Sequence, residues 1–266
     1  MKLTIAYLYY DLLNLYGEKG NLKEIIKELE NQQIDYEIKY LSINDSLIFK
    51  DYDLVIMNAG TENSQKIVIK HLQKYKKDIK DMIENNKFFL ITGNSVDLFG
   101  KSLIENNKKH KLLGIFKYDV IRTEKRIVND SLFIKDENEL VIGFQNQSSY
   151  MSEVKYPLFK RVVGFGTNNE FEGIHYKNFY GTYLIGPLLV RNPNFFKESS
   201  VSLLGAVVSK ENIIMLVISI LALATLAFIL QKTSIGRAIR AVSFDRDTAQ
   251  LMGINATLVI QVVFAI

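Results

Sequence analysis

The turn around Thr92 is the position in this sequence best suited to carry chemistry. The apolar stretch Lys87–Thr92 predicts a buried strand, and Gly93-Asn94 predicts a sharp turn into a helix. A strand that turns in this way presents one side chain, here a threonine hydroxyl, beside the free amides of a helix start. That arrangement suits a nucleophile. It is also a common plain connection in α/β proteins, and both interpretations stay open.

Few residue types are available to activate that hydroxyl. The chain has no cysteine, which excludes disulfides, thiolate metal sites, iron–sulfur clusters and a cysteine nucleophile. Its three histidines, His71, His110 and His175, leave little room for a histidine-rich metal site. Asp97, one turn beyond Thr92, is interpreted as a carboxylate favoured by the start of the helix. The sequence predicts no metal and no cofactor.

Alternating elements would position this turn. The predicted strands and helices alternate through the first hundred residues, with strands at Lys2–Tyr10, Tyr36–Leu41, Asp53–Asn58 and Lys87–Thr92 and helices at Asn21–Gln33, Ser64–Asn85 and Ser95–Asn106. This order predicts a mostly parallel sheet with helices on both faces, and sites at the carboxyl ends of its strands. Residues 112–189 predict further strands, with turns at Asn129-Asp130, Asp136–Asn138 and Gly164–Asn169.

The composition changes near residue 200. All 14 tyrosines and all three prolines precede Val201, and residues 201–266 are mostly apolar. We therefore predict two domains, 1–199 and 200–266, joined at about Glu198 to Val201. The formal net charge of +4 is too small to indicate a nucleic-acid partner, and none is predicted.

Several motifs of the first domain resemble those of the CobB/CobQ-like class I glutamine amidotransferases, most of all the GatD-type subunits of lipid II isoglutaminyl synthases. They keep their order over about residues 1–197: Tyr10–Asn21, Asp53–Gln65, Ile91–Lys101, Gly143–Ser149, Gly164–Gly173 and Tyr176–Pro193. The resemblance implies a flavodoxin-like α/β fold, a cytoplasmic location and a role in peptidoglycan amidation. It also implies a Mur-ligase-like (MurT-type) synthase subunit as partner.

Two departures from the family pattern bear on activity. The family has a nucleophilic cysteine where this chain has Thr92, and a general-base histidine where it has Ile185. A threonine hydroxyl needs an adjacent base, and isoleucine cannot take a proton. The resemblance therefore implies an inactive domain that binds a partner or a ligand. A residual glutaminase that uses Thr92 with another base is the alternative.

The ligand pocket departs from the pattern as well. Two glycines of the family's glycine-rich turn are Asn58 and Ala59 here, and the family's His-Gly-Gly stretch is Gln147–Ser149. The residues left as ligand-binding candidates are Gly60, Gly93, Asn94 and Asn146.

The second domain predicts membrane association. Its 18-residue stretch Ile213–Leu230 predicts a transmembrane helix at about 212–231, followed by a short amphipathic helix at about 234–253 and the start of a further membrane helix at 256–266. Thr233–Val242 and Asp245–Asn255 resemble the LivH-type permeases of branched-chain amino acid ABC importers. That resemblance implies an ABC ATPase subunit as partner of residues 234–255.

The two predicted locations conflict. Basic residues after the apolar stretch, among them Lys232 and Arg237, favour the cytoplasm, which would place the first domain outside the cell. Three hypotheses follow. The tail is an accidental join to an inactive amidotransferase-like domain, a chimera. It is the anchor of a membrane-bound binding protein. Or it is the working part of a permease component.

Overall fold

The structure is a computed structural model that describes residues 2–135, 139–166, 170–193, 195, 200–203 and 206–265. The chain divides into two compact units, Met1–Lys197 and Glu198–Ile266. The predicted turn Asp136–Asn138 and the end of the predicted turn Gly164–Asn169 lie outside the described residues. Residues 198–199 of the predicted junction lie outside them too.

The first unit is built mainly of strands. Its described strands are β1 (Leu3–Leu8), β2 (Tyr36–Leu41), β3 (Leu54–Met57), β4 (Phe88–Thr92), β5 (Ser102–Glu105), β6 (Lys108–Lys111), β7 (Asp119–Lys135), β8 (Glu139–Met151), β9 (Phe159–Val163), β10 (Phe171–Glu172), β11 (Ile174–Tyr176), β12 (Phe179–Thr182) and β13 (Leu184–Ile185). Its helices are α1 (Lys19–Asn31), α2 (Glu62–Leu72), α3 (Lys76–Glu84) and α4 (Leu188–Arg191), with 3-10 turns at Phe49–Asp51, Gln73–Tyr75 and Gly93–Phe99.

A largely parallel sheet carries the site. Among the described residues its strand order is β11-β12-β4-β3-β1-β2, in which only β11 is antiparallel to its neighbour. The central strands are buried apolar runs, as the sequence predicted for strands covered on both faces. Thr92 ends β4 at the middle of the carboxyl edge, so the predicted α/β sheet is confirmed.

A second, mixed sheet lies in the same unit and consists mostly of hairpins. Its order is β10-β9-β7-β5-β6, and β8 pairs with both β7 and β13. The predicted turn at Asn129-Asp130 is wrong. Both residues lie inside β7, where they pair with Gln145 and Phe144 of β8. Their polar side chains suit the ladder because this stretch of β7 is partly exposed.

Two predicted helices are also wrong. Ser64–Asn85 is not one helix, because α2 and α3 are separated by a 3-10 turn whose Tyr75 packs its ring against Phe49 at 5.7 Å between centroids. Ser95–Asn106 is a 3-10 turn followed by β5. Asn106 and Asn107 then take φ values of 49° and 60°, which close the β5–β6 hairpin.

The second unit contains a hairpin and four described helices. They are β14 (Ser200–Leu203), β15 (Ala206–Ser209), α5 (Lys210–Lys232), α6 (Ser234–Phe244), α7 (Arg246–Leu251) and α8 (Ala256–Ala265). The single helix predicted at 234–253 is two helices, because the Asp245 carboxylate accepts hydrogen bonds from the first amides of α7.

No single helix of the described residues meets the length and hydropathy required to cross a membrane. The segments Leu216–Lys232 and Ser234–Phe244 meet that requirement only as a pair, and the pair is bent by 75°. The bend coincides with Thr233, whose Oγ1 accepts the Gly236 amide at 3.1 Å as the cap of α6. The predicted transmembrane helix is therefore not confirmed.

Candidate functional site

The chain turns sharply at the end of β4. Thr92 is extended and fully buried, and Gly93 takes a φ of +62°. A Cβ on Gly93 would lie 2.5 Å from the Cβ of Ala59 and 2.9 Å from Cγ2 of Ile185. Only glycine fits both the backbone angle and the space. The segments that contain Ala59, Gly93 and Ile185 therefore pack closely against one another at the candidate site.

The Thr92 hydroxyl is held by a buried carboxylate. Its Oγ1 donates to Oε1 of Glu18 at 2.6 Å, and Oε2 of Glu18 accepts the Ala59 amide at 2.8 Å. Burial raises the pKa of Glu18 to about 7, and these two hydrogen bonds act in the opposite direction. Sequence reasoning missed Glu18, although it lies within the Tyr10–Asn21 motif that we singled out.

Asn58 completes the polar contacts of Thr92. Its Oδ1 lies 3.3 Å from the Thr92 hydroxyl, and its Nδ2 donates to the Tyr7 hydroxyl at 2.5 Å. The Asn58 carbonyl accepts the Ser95 hydroxyl. The side chains of Asn58, Ser95 and Thr92 are all buried. The hydroxyl at the turn thus lies inside a satisfied hydrogen-bond network.

Ile185 covers the turn from the second sheet. It is 3% exposed, lies on β13 and pairs with Phe144 of β8. Its Cγ2 approaches Gly93, as described above. The fold therefore brings together the two positions, Thr92 and Ile185, that the family resemblance pairs as nucleophile and base. The group that faces the turn here is a hydrocarbon.

Three of the four ligand-binding candidates also come together. Oδ1 of Asn94 accepts the Gly60 amide at 3.1 Å, and Nδ2 of Asn94 donates to the Gly60 carbonyl at 2.7 Å. Gly93 lies between Thr92 and Asn94 in the chain. Asn146 is placed differently, on β8, where its Oδ1 accepts from Nε of Arg126. The Asn94 side chain is thus engaged with the backbone of Gly60.

A second buried carboxylate lies behind the turn. Asp97 is 2% exposed, and its two oxygens accept the hydroxyls of Ser149 and Tyr183, each at 2.6 Å. Burial raises the pKa of Asp97 to about 6, while its hydrogen bonds and the Arg122 charge lower it. The interpretation of Asp97 as a helix-start carboxylate is wrong, because it is the fifth residue of the 3-10 turn and points inward.

The histidines do not join the site. Nδ1 of His71 pairs with the Tyr9 hydroxyl at 2.9 Å, and the exposed His175 ring stacks on Tyr180. Within the described ranges, no group of three or more His, Cys, Asp or Glu side chains is placed to hold a metal.

These features fit a known family. A family model described as the CobB/CobQ-like glutamine amidotransferase domain matches residues 4–193, and the chain belongs to that family. The resemblance stated from the motifs is thereby confirmed. A second family model, the branched-chain amino acid transport system / permease component, matches residues 152–266.

Two curated relatives align with most of the chain. One is subunit GatD of the glutamine-hydrolyzing lipid II isoglutaminyl synthase of Streptococcus pneumoniae, 31% identical over 200 residues, with 73% of this chain and 77% of the relative covered. The other is the same subunit from Staphylococcus aureus, 28% identical over 194 residues, with 72% and 80% covered.

Solved structures are more distant. The glutaminase domain of Trypanosoma brucei CTPS with bound acivicin gives a TM-score of 0.49 at 10% identity, covering 73% of this chain and 90% of that one. A glutamine amidotransferase from Thermotoga maritima gives 0.47 at 11% identity, covering 69% and 75%. Likeness at this level says nothing about the site.

Proposed function

We propose that residues 1–199 form a GatD-like amidotransferase domain that has lost glutamine hydrolysis and acts as a partner- or ligand-binding subunit. The observation that carries this proposal is the environment of Thr92. Its hydroxyl is buried and bonded to Glu18, and the residue that covers the turn is Ile185. Neither a thiolate nor an imidazole stands where the family pattern requires them.

The chemistry of the site supports inactivity. Attack on a carboxamide needs the Thr92 proton to pass to a base that later returns it to the leaving ammonia. Ile185 can do neither. Glu18 already accepts the Thr92 hydroxyl, but both side chains are fully buried, so neither is exposed to an incoming carboxamide. Loss of either member of a nucleophile–base pair costs several orders of magnitude in rate.

The relatives supply the biological context. Both are subunits of lipid II isoglutaminyl synthase, so we place this domain in peptidoglycan amidation, in the cytoplasm, with a MurT-type synthase subunit as its partner. Binding such a subunit requires the folded surface of the domain, which does not depend on a working nucleophile. Purification of the tagged chain together with a co-expressed MurT-type subunit tests this assignment, and elution of the two proteins separately contradicts it.

A glutaminase assay tests the loss of activity. We expect the full chain to release no ammonia from glutamine above the buffer rate. Thr92→Val removes the hydroxyl at nearly constant volume, and Thr123→Val is the matched control on a partly exposed hydroxyl of β7. Ammonia release that Thr92→Val abolishes and Thr123→Val preserves would establish the residual-glutaminase alternative and refute the proposal.

A second candidate function is favoured by the match of residues 152–266 to the permease family. On this account the tail anchors the chain or contributes to an ABC permease, with an ATPase subunit bound to residues 234–255. The exposed side chains of α5 support membrane association, since Leu221 and Leu223 are 60% and 67% exposed. Domain 200–266 would then be functional rather than an accidental join.

Membrane fractionation separates these accounts. If the tail is an anchor, the chain sediments with membranes and resists alkaline extraction, and Leu221→Lys with Leu223→Lys releases it. Val162→Lys, on an exposed valine of β9, is the control. A chain that stays in the supernatant excludes the anchor.

A further inference from the structure

A cavity opens at the end of the parallel sheet opposite to Thr92. Its volume is about 250 Å³. Tyr176 lines it and pairs with Phe179, the first residue of β12, while Glu84 ends α3 just before β4 begins. Thr92 pairs with Thr182 at the other end of the same two strands. The cavity is therefore separate from the candidate amidotransferase site.

Three aromatic rings form its walls. The rings of Tyr156 and Tyr176 lie 5.0 Å apart between centroids, and Phe116 meets Tyr176 edge to face at 6.1 Å. Tyr156 is 37% exposed, and Phe116 and Tyr176 are partly exposed. Because all three side chains are partly exposed and line a concave site, their rings can contact a planar ligand. We call this site the aromatic cavity.

The floor of the aromatic cavity is rigid and apolar. Ile83 and Ile174 are almost fully buried beneath it. Tyr118 is fully buried as well, and its hydroxyl donates to the Val96 carbonyl at 2.6 Å. The floor therefore offers hydrocarbon and ring surface rather than unpaired polar groups. A flat ring that enters the cavity replaces water at low cost.

Cations line the rim. Lys80, Lys117 and Lys155 are exposed lining residues, and Nζ of Lys155 lies 4.9 Å from the centre of the Tyr156 ring. Of the two lining carboxylates, Glu84 is bound by Nζ of Lys177 at 2.7 Å, which leaves Glu153. The rim therefore has an excess of positive charge, which attracts an anion.

We propose that the aromatic cavity binds a small molecule in which a planar aromatic ring carries a phosphate, as in a nucleoside monophosphate. The ring stacks among Phe116, Tyr156 and Tyr176, and the phosphate remains at the lysine rim. The cavity volume is smaller than that of a typical drug-sized site, so it takes the ring while the anion stays outside. This proposal is independent of the proposed function, because it uses none of the residues around Thr92.

Calorimetric titration of the full chain in a mild detergent tests the proposal with AMP, adenosine and inorganic phosphate as probes. AMP is expected to bind at least about tenfold more tightly than either fragment, because stacking and charge act together. The absence of AMP binding up to about 5 mM overturns the proposal. Equal affinities for AMP and adenosine overturn the role of the lysine rim.

Variants locate the binding. Tyr176→Leu is expected to weaken AMP binding at least about fivefold, and Tyr176→Phe to preserve it, because only the first removes the ring. Lys117→Gln is expected to narrow the difference in affinity between AMP and adenosine, because it removes one of the three rim lysines. Tyr10→Leu, on an exposed ring beyond the opposite end of β1, is the control. If Tyr176→Leu fails to fold, Tyr156→Leu replaces it. Equal binding by the leucine variant and the control overturns the proposal.

Discussion

Replacing Glu18 with glutamine is expected to remove a pH-dependent destabilisation that the buried carboxylate causes. The pKa of Glu18 is raised from 4.5 to about 7 in the folded chain. At a pH below both pKa values, Glu18 is protonated in the folded and the unfolded states, so the destabilisation is absent. As the pH rises from 4.5 to 7, the unfolded state ionises first, so the free energy of unfolding falls.

The magnitude follows from the pKa difference. Each pKa unit corresponds to about 1.4 kcal/mol, so a rise from 4.5 to about 7 corresponds to about 3 kcal/mol. Glutamine keeps the local hydrogen bonds. Its Oε1 accepts the Ala59 amide, and its Nε2 donates to the Thr92 hydroxyl, which then donates to Oδ1 of Asn58 at 3.3 Å.

Urea unfolding followed by circular dichroism measures the effect. The difference in unfolding free energy between Glu18→Gln and the parent chain should become more favourable to the variant by about 2–3 kcal/mol from about pH 5 to about pH 8. Glu124→Gln, on an exposed carboxylate of β7, should show no such change. A difference that does not vary with pH, or that varies in the opposite direction, refutes the burial argument.

Three further predictions concern the packing around the site and the buried carboxylates. Gly93→Ala should destabilise the chain by several kcal/mol, since its Cβ would clash with Ala59 and Ile185, whereas Gly17→Ala, at a φ of +72° but with open space, should cost only about 1–2 kcal/mol in thermal or urea unfolding. Equal losses of stability would show that the positive φ alone, and not the contacts with Ala59 and Ile185, determines the cost. Tyr183→Phe should cost about 1–3 kcal/mol, because Asp97 loses one of its two hydroxyl donors, and Tyr176→Phe should be neutral as its long contact with Glu84 is exposed. A neutral Tyr183→Phe would contradict the assigned hydrogen bond. The parent chain should lose stability between about pH 4 and about pH 7, since burial also raises the pKa values of Asp97, to about 6, and of Glu172, to about 7. A stability maximum near pH 7 in urea unfolding would contradict both assignments.

The sequence alone determined the central sheet, the turn at Thr92 and the two departures from the family pattern on which the proposed inactivity depends. Buried strands such as Lys87–Thr92 are short, continuous and rich in apolar residues, and a local pattern of that kind survives tertiary packing. The order of the motifs identified the family, because related proteins keep the strands and loops around a shared site in the same order along the chain. The identities of Thr92 and Ile185 needed only that alignment.

Predictions from local sequence patterns were wrong where contacts with distant segments determine the backbone conformation. Tyr75 packs on Phe49, from another segment, and interrupts a continuous helical pattern between α2 and α3. Asn129 and Asp130 are typical turn residues, yet the long β8 strand pairs with them and keeps them extended. In both places tertiary contacts overrode local preference.

The tertiary structure alone decided which polar groups surround the Thr92 hydroxyl. Glu18 and Asn58 are far from Thr92 in the chain, and no spacing rule relates either of them to it. Glu18 looks like an ordinary loop acid until the fold encloses it, with its oxygens on the Thr92 hydroxyl and the Ala59 amide. Asp97 likewise changes from a presumed helix-start charge to a buried acceptor of two hydroxyls. The sequence lists the ionisable groups, but burial and hydrogen-bond partners, which exist only after folding, determine their pKa values and their roles.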